Sequence, residues 1–450
     1  MHWKMNNPND LKKKQRVRNV AALLIAGIFI LAGCQGQSIL DAIFPQAESQ
    51  LGGQGTPTPD VDLESEGTVT PDNLVVIDLV VWVLPQFDPN GESDASLVLD
   101  ERFREFLIRN PQVNLTVRVK ATSGPGSMLD SLTGASSVAR DALPSLVLLN
   151  RSDLVASANR GLVFPIEEIS TSVDENDWYP FAQAMAIHQG SVFGLPFASN
   201  ALGLLVRSNK LPDDQPSWEE ALRRLDSLIF PAGDADALVT LALYLSAGGS
   251  LDTQMGQIGI NLDALTAALD VYDRARRVGV IKRDLLEYQT DDQAWDAFMV
   301  GDADAVITWV HRLFSEEEDL GLALLPPLGE NPMTLGTGWS WCLTEPDDQK
   351  REYAAALAEF LSAPEFLSRW APLSGYLPVR PSSLAGFNGD GLQSTLSTML
   401  LSTRLRPDRQ AMTEIGAQIE SAVTEMINTN LSAEESALNV ITRLEESENP

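Results

Sequence analysis

Two hydrophobic periods alternate along this chain from Leu74 to Leu149, and that alternation limits the folds open to it. Leu74 to Leu84 is nearly all apolar and rich in valine, the composition of a strand covered on both faces. Leu99, Phe103, Phe106 and Leu107 then recur at helical spacing. Asn110-Pro111 ends that helix, because a proline pushes the residue before it out of the helical region. Val113, Leu115, Val117 and Val119 alternate with Asn114, Thr116, Arg118 and Lys120, which predicts a strand covered on one face. Pro144 introduces another apolar strand, Leu146 to Leu149. Strand, helix and strand in this order predict an α/β fold, a parallel or mixed sheet with helices on both faces. Toward the C-terminus the pattern becomes helical: Ile415, Ile419, Val423 and Ile427 share a face. Ser432-Ala433-Glu434-Glu435 has the spacing of a capping box and opens a last helix with Ala437, Ile441 and Leu444 inward. At 450 residues the chain exceeds one comfortable core, so two lobes are expected.

The N-terminus sets the compartment. Lys12, Lys13, Lys14, Arg16 and Arg18 precede an apolar run, Val20 to Ala32, that closes on Leu31-Ala32-Gly33-Cys34. A basic segment, an apolar segment and small residues before a cut are what the secretion machinery reads. The run of 13 residues falls short of the roughly 20 that a spanning helix needs. Leu-Ala-Gly-Cys resembles a bacterial lipobox, which implies a signal peptide over 1–33 and a lipid on Cys34 as the mature N-terminus. A cleaved signal peptide with Cys34 a bystander, or a retained helical anchor, would equally leave the body outside the cytoplasm. Residues 34–73 follow as a flexible tether, with Gly52-Gly53-Gln54-Gly55, Thr56-Pro57-Thr58-Pro59 and an acidic run from Asp60 to Glu66. That acidic run lacks the glycine and distal glutamate of a calcium-binding loop.

Without residues 1–33 the chain carries 26 Lys and Arg against 61 Asp and Glu, a formal charge of −35. Such a surface repels nucleic acid and anionic head groups. Cys34 and Cys342 are the two cysteines, so acylation of Cys34 leaves no internal disulfide, and stability must come from core burial.

Catalytic signatures are missing. Neither a phosphate-binding G-x-x-x-x-G-K-[ST] nor a zinc-binding H-E-x-x-H occurs, and His188 and His311 stand isolated. Gly338-Trp339-Ser340-Trp341-Cys342 starts like a nucleophile elbow but ends on Cys, where close packing demands glycine. No cofactor or metal is expected. A glycoside-processing enzyme needs two suitably spaced carboxylates, and a chain this acidic leaves that reading open.

Aromatic residues carry the remaining signal. Eight tryptophans lie beyond the leader: Trp82, Trp178, Trp218, Trp295, Trp309, Trp339, Trp341 and Trp370. The flat C–H faces of sugars pack against indole rings, while their hydroxyls need polar partners. Trp339 and Trp341 are two apart and would share a strand face. Because Cys342 and Leu343 follow, that strand is expected to leave the sheet edge near a cleft. Trp295 with Phe298, and Trp370 with Leu367, fit helix faces turned to a core, and Trp218 reads as structural.

Several short motifs stand in order over some 300 residues. Leu143-Pro144-Ser145-Leu146-Val147 resembles "P-D-[IV]-[IV]", with Ser145 in place of the acid, and Gly161 to Ile166 resembles "G-x-[IL]-x-[PD]-[IL]". Gly194-Leu195-Pro196-Phe197 matches "G-x-P", and Pro216-Ser217-Trp218-Glu219-Glu220 stands for "P-x-T-W-x-E". Ala247-Gly248-Gly249 is similar to a glycine pair after a helix. Phe298 to Gly301 with Ala303 to Trp309 resembles "F-x-x-G-x-[AV]-[AM]", and Gly375 to Arg380 resembles "G-x-[LI]-P-x-[RN]". From Leu74 to about Leu444 the chain thus resembles an extracellular solute-binding protein of family 1, the receptors of ABC importers that mostly carry carbohydrates.

The resemblance implies a two-lobed, periplasmic-binding-protein-like α/β fold, each lobe a mixed sheet flanked by helices, with ligand in the cleft between. Lobe 1 would hold 74–198 plus 327–378, and lobe 2 would hold 199–326 plus 379–450. It also implies a monomeric, non-enzymatic lipoprotein that passes a carbohydrate to a permease. By position in the matched motifs, Trp309, Trp339, Trp341, Tyr376 and Arg380 would touch ligand, with Phe197 and Asn200 near the crossover. Asp88, in the loop after the first strand, and Asn150, at a strand end, sit where hydroxyl partners belong in open sheets. A plain turn at Asp88-Pro89-Asn90-Gly91 and a core place for either indole remain open. A polyamine or other small-solute receptor is the alternative, which the acidic charge would suit.

Overall fold

The computed structural model describes residues 76–448 apart from 139–141, 208–209, 211–216, 252, 255–256, 302, 315–319, 390 and 430. The leader, Cys34 and the tether lie outside the described residues. Among the described residues, no helix is long and apolar enough to cross a membrane.

One nine-stranded sheet organises the body. Its strands are β1 (Ile77–Val83), β2 (Val113–Val119), β3 (Leu146–Asn150), β4 (Gly194–Arg207), β5 (Leu228–Ile229), β6 (Ala305–Trp309), β7 (Leu320–Ala323), β8 (Thr334–Leu343) and β9 (Thr403–Leu405). They lie in the order β2-β1-β3-β8-β4-β6-β5, with β7 also on β4 and β9 also on β8. β1 runs parallel to β2 and β3, whereas β8 is antiparallel to both β3 and β4, so the sheet is mixed. β2 closes one end, and its outward residues are exposed, as its alternating sequence requires.

The helices follow the sequence pattern. Asp94–Arg109 starts where the Ser93 hydroxyl accepts the Ser96 N–H and stops at Asn110, with Leu99, Phe103 and Phe106 buried. Arg409–Thr429 buries Ile415, Ile419, Val423 and Ile427 along one face. In the final helix, Ala433–Glu448, the Glu435 N–H donates to the Ser432 hydroxyl and the Ser432 N–H donates to the Glu435 carboxylate. That reciprocal pair is the capping box.

β4 positions everything else. Its first part, up to Ala201, pairs with β8, and from Leu202 onward it pairs with β6. One continuous strand therefore serves two sections of sheet. Against β8 the register slips between Ala198 and Pro196, which makes Phe197 a bulged residue. Gly338 of β8 lies opposite Ser199 of β4, and a Cβ there would fall 2.4 Å from the Ala198 carbonyl oxygen. Only glycine lets the two strands approach this closely.

β8 corrects one expectation. It does not leave a sheet edge after Trp341: β3 and β4 bond it on both sides, and Cys342 and Leu343 are fully buried. An interior strand satisfies its backbone through two neighbours, so its apolar end marks depth rather than a cleft mouth. Trp341 is likewise 0 % exposed, with its Nε1–H buried and unpaired. Its ring lies 5.1 Å from that of Phe197, which lies 4.4 Å from that of Trp370. These rings fill the core packed against β4 and β8. Replacing Trp341 with alanine should lower stability by about 3–5 kcal/mol, read as a shift of the urea unfolding midpoint.

Candidate functional site

Register brings the sequence-selected residues to one face of the sheet. Directly paired residues in antiparallel strands point to the same side, as do residues two apart. Trp339 of β8 pairs with Ala198 of β4 and with Asn150 of β3; Thr337 pairs with Asn200, and Trp309 pairs with Leu202. Trp339, Asn150, Asn200 and Trp309 therefore share a face that spans the point where β4 changes neighbours.

A chain of rings runs from the core to this face. Phe87, at the end of the turn Pro85–Phe87 after β1, lies 5.8 Å from Phe197. It also lies 5.1 Å from Trp339 and 5.1 Å from Tyr376. Trp339 and Tyr376 meet edge to face at 5.1 Å, a favoured aromatic geometry. Tyr376 stacks on His311 at 5.7 Å and 11°. Phe87, Phe197 and Trp370 are buried, whereas Trp339, Tyr376, His311 and Trp309 are half-buried. Tyr376 is held by the next residue, because Leu377 exchanges two backbone hydrogen bonds with Ser199 of β4. Gly375 before it takes φ +74, the left-handed turn that ends the helix Pro364–Ser374.

Polar tips follow the same gradient. Trp339 Nε1, Trp309 Nε1, the Tyr376 hydroxyl and His311 Nε2 have no hydrogen-bond partner among the described residues. None of the four is among the buried unpaired atoms, so each is open to solvent. Burial pushes the Tyr376 hydroxyl up to about 12, which keeps it a donor at neutral pH.

The other sequence-selected residues, and the two asparagines on that face, are engaged by the protein itself. Phe197 is 1 % exposed and packs between Trp341 and Trp370, so it builds the floor and offers no face to a ligand. Arg380 is 2 % exposed: its Nε donates to the Ser362 carbonyl at 2.8 Å, its Nη1 pairs with Glu175, and its guanidinium lies over Trp178. Its charge is spent on structure. Asn200 is 3 % exposed, and its Oδ1 accepts from the N–H of Ala201 at 3.0 Å and of His311 at 3.2 Å. Its Nδ2 donates to His311 Nδ1 at 2.8 Å, so the amide is engaged at both ends. Asn150 caps the helix Arg151–Asn159, accepting the Asp153 N–H at 2.9 Å. Asp88 accepts the Asn90 N–H at 2.9 Å and forms the plain turn.

His311 stands alone in the sequence and belongs to no motif that would mark it. It follows β6 in the turn Val310–Phe314, and burial, then Arg312, lower its pKa. Arg312 itself is held by Asp291, which accepts from Nε at 2.9 Å and Nη2 at 2.7 Å. Among the described residues, no group of three or more His, Cys, Asp or Glu is placed to hold a metal ion. A separate open cavity of about 410 Å³ is lined by Ser246, Gly248, Gly249, Asn331 and Arg404 and includes none of the aromatic residues above.

A family described as bacterial extracellular solute-binding protein matches residues 112–394. Among solved structures, the sugar-binding protein MalE of Xanthomonas citri is 18% identical, with 82% of this chain and 96% of that one covered and a TM-score of 0.66. Maltose-bound MalE3 of T. maritima is 17% identical, with 82% and 99% covered and a TM-score of 0.62. UgpB of Mycobacterium tuberculosis, in complex with glycerophosphocholine, is 16% identical, with 82% and 98% covered and a TM-score of 0.60. At these identities the likeness shows the fold, the two-lobed periplasmic-binding-protein-like arrangement. No curated protein sequence matches the chain.

The lowered His311 pKa has a testable sign. The unfolded chain binds a proton at about pH 6.5 that the folded state resists. The stabilisation is therefore present above that value and is lost as pH falls from it toward the lower folded value. Urea unfolding at pH 7, 6 and 5 should show a smaller fall in midpoint for His311→Gln than for the wild type.

Proposed function

The chain belongs to the bacterial extracellular solute-binding proteins, and from that premise we propose that it is a lipid-anchored receptor for a carbohydrate, a mono- or oligosaccharide. Its family comprises substrate-binding receptors of ABC importers, and their place is extracytoplasmic. In this reading Cys34 carries the anchor and 34–73 hold the body away from the membrane. Lobe 1 (74–198 with 327–378) and lobe 2 (199–326 with 379–450) close on the solute as rigid bodies about β4. The protein acts as a monomer, and the cargo leaves unchanged for the permease.

One observation carries the proposal: half-buried Trp309, Trp339 and Tyr376, each with an unpaired polar tip, line the face where β4 changes neighbours. An aromatic wall with a donor on its rim suits the apolar face and hydroxyl edge of a sugar. The fold neighbours described as maltose-bound and as sugar-binding support the same class. A polyamine receptor of this fold is the second reading, favoured by the formal charge of −35 beyond residue 33.

A thermal-shift screen of the full-length protein against glucose, maltose, maltotriose, glycerophosphocholine and spermidine separates these readings. A saccharide at about 100 times its Kd should add ~2.7 kcal/mol to stability. Stabilisation by spermidine with none by any saccharide would overturn the carbohydrate reading. Trp339→Ala should weaken the bound saccharide by ~2 kcal/mol, roughly thirtyfold, in calorimetric titration. Undiminished affinity would remove Trp339 from the site.

A further inference from the structure

We propose that His311 is a neutral hydrogen-bond donor to the ligand, and that Asn200 is the positioning residue that makes it one. The assignment rests on the carbohydrate reading above and narrows it to the ligand atoms this site accepts.

The geometry fixes the direction of every bond. Asn200 Oδ1 accepts two backbone N–H groups, from Ala201 and His311, which sets the orientation of its amide. Nδ2 then faces His311 Nδ1 at 2.8 Å, and an amide nitrogen can only donate. Nδ1 must therefore be the unprotonated nitrogen, and the ring proton sits on Nε2. The charged groups around the ring act on the same balance. Arg312 disfavours the imidazolium, Asp291 and Asp292 favour it, and burial outweighs them. Both aspartates are paired with Arg312, which spends much of their field. Tyr376 stacks flat on the ring and holds its plane.

The remaining valence of His311 points outward. Nε2 has no partner among the described residues and is open to solvent, on a ring that stacks 5.7 Å from Tyr376, itself in contact with Trp339. A locked N–H donor bonds a hydroxyl or ether oxygen. It has nothing to offer an ammonium group, which is itself donor-only. Asn200 thus selects oxygen-bearing neutral solutes over polyamines without touching either.

The test replaces Asn200 by its near-isostere. In Asn200→Asp the carboxylate still accepts the two backbone N–H groups, but it now draws a proton onto Nδ1 and turns Nε2 from donor to acceptor. With ¹⁵N-histidine labelling, long-range imidazole spectra of the full-length protein at pH 7 assign the tautomer, His311→Gln identifying the signal. The wild type should show the Nε2–H form, and Asn200→Asp the Nδ1–H form. A wild-type ring protonated on Nδ1 overturns the assignment, whatever the ligand. With whichever of glucose, maltose and maltotriose binds the wild type tightest, saturation should move the His311 Nε2 signal. Affinity should fall about five- to tenfold in His311→Gln and at least as far in Asn200→Asp. Equal affinity in His311→Gln overturns this proposal and leaves the carbohydrate reading standing. A wild type that binds no saccharide overturns both.

Discussion

The hydrogen-bond ladder of β4 is the constraint on which this molecule depends. Within its 14 residues the strand gives up β8 as a neighbour and takes β6. Thirteen of those residues are buried, which a strand can tolerate only when both edges and both faces are covered. The exchange falls between Ala201 and Leu202, and there the chain must satisfy its backbone while its partner changes. Asn200 and Ser199 answer that need. The Asn200 side chain accepts the N–H of Ala201, and the Ser199 hydroxyl donates to the Leu377 carbonyl at 3.0 Å. Structure and candidate site therefore share the same atoms: the groups that hold the crossing strand also place His311 and Tyr376.

The aromatic residues show how one composition serves two purposes. Trp341 and Trp370 bury indole nitrogens without acceptors, a cost accepted for volume in the core. Trp339, two residues from Trp341 on the same strand face, is only half-buried and keeps its nitrogen free. Nothing about the residue type separates them. Depth along the strand does, and depth is set by Phe197, Phe87 and Trp370 arriving from elsewhere in the chain.

That distinction explains which parts were legible in the sequence. The helix Asp94–Arg109, the one-sided strand β2 and the capping box at Ser432 are local, and period and end signals disclosed them. The shared face of Trp339 and Trp341 was also readable, since it needs only the two-residue repeat of a strand. The central place of β8 was not, because pairing with β3 and β4 joins segments far apart in the chain. Arg380 looked like a ligand group and is a structural one, since Glu175 lies 205 residues away. Asn200 has the chemistry of a partner for ligand hydroxyls, but its oxygen accepts the N–H groups of Ala201 and His311, and its nitrogen donates to His311, 111 residues distant. An isolated histidine carries no motif, so only the fold could bring it forward.

The bulge at Phe197 has a consequence for how this strand can vary in length. Side chains alternate sides with each residue, so one supernumerary position reverses the parity of everything beyond it. Phe197 absorbs that reversal between Pro196, opposite Ser340, and Ala198, opposite Trp339. Excising a single residue between Ala198 and Leu202 would turn the interior of one sheet section outward. A change of length is therefore compatible with this fold in its connecting loops and not in the crossing strand, which acts as a fixed ruler.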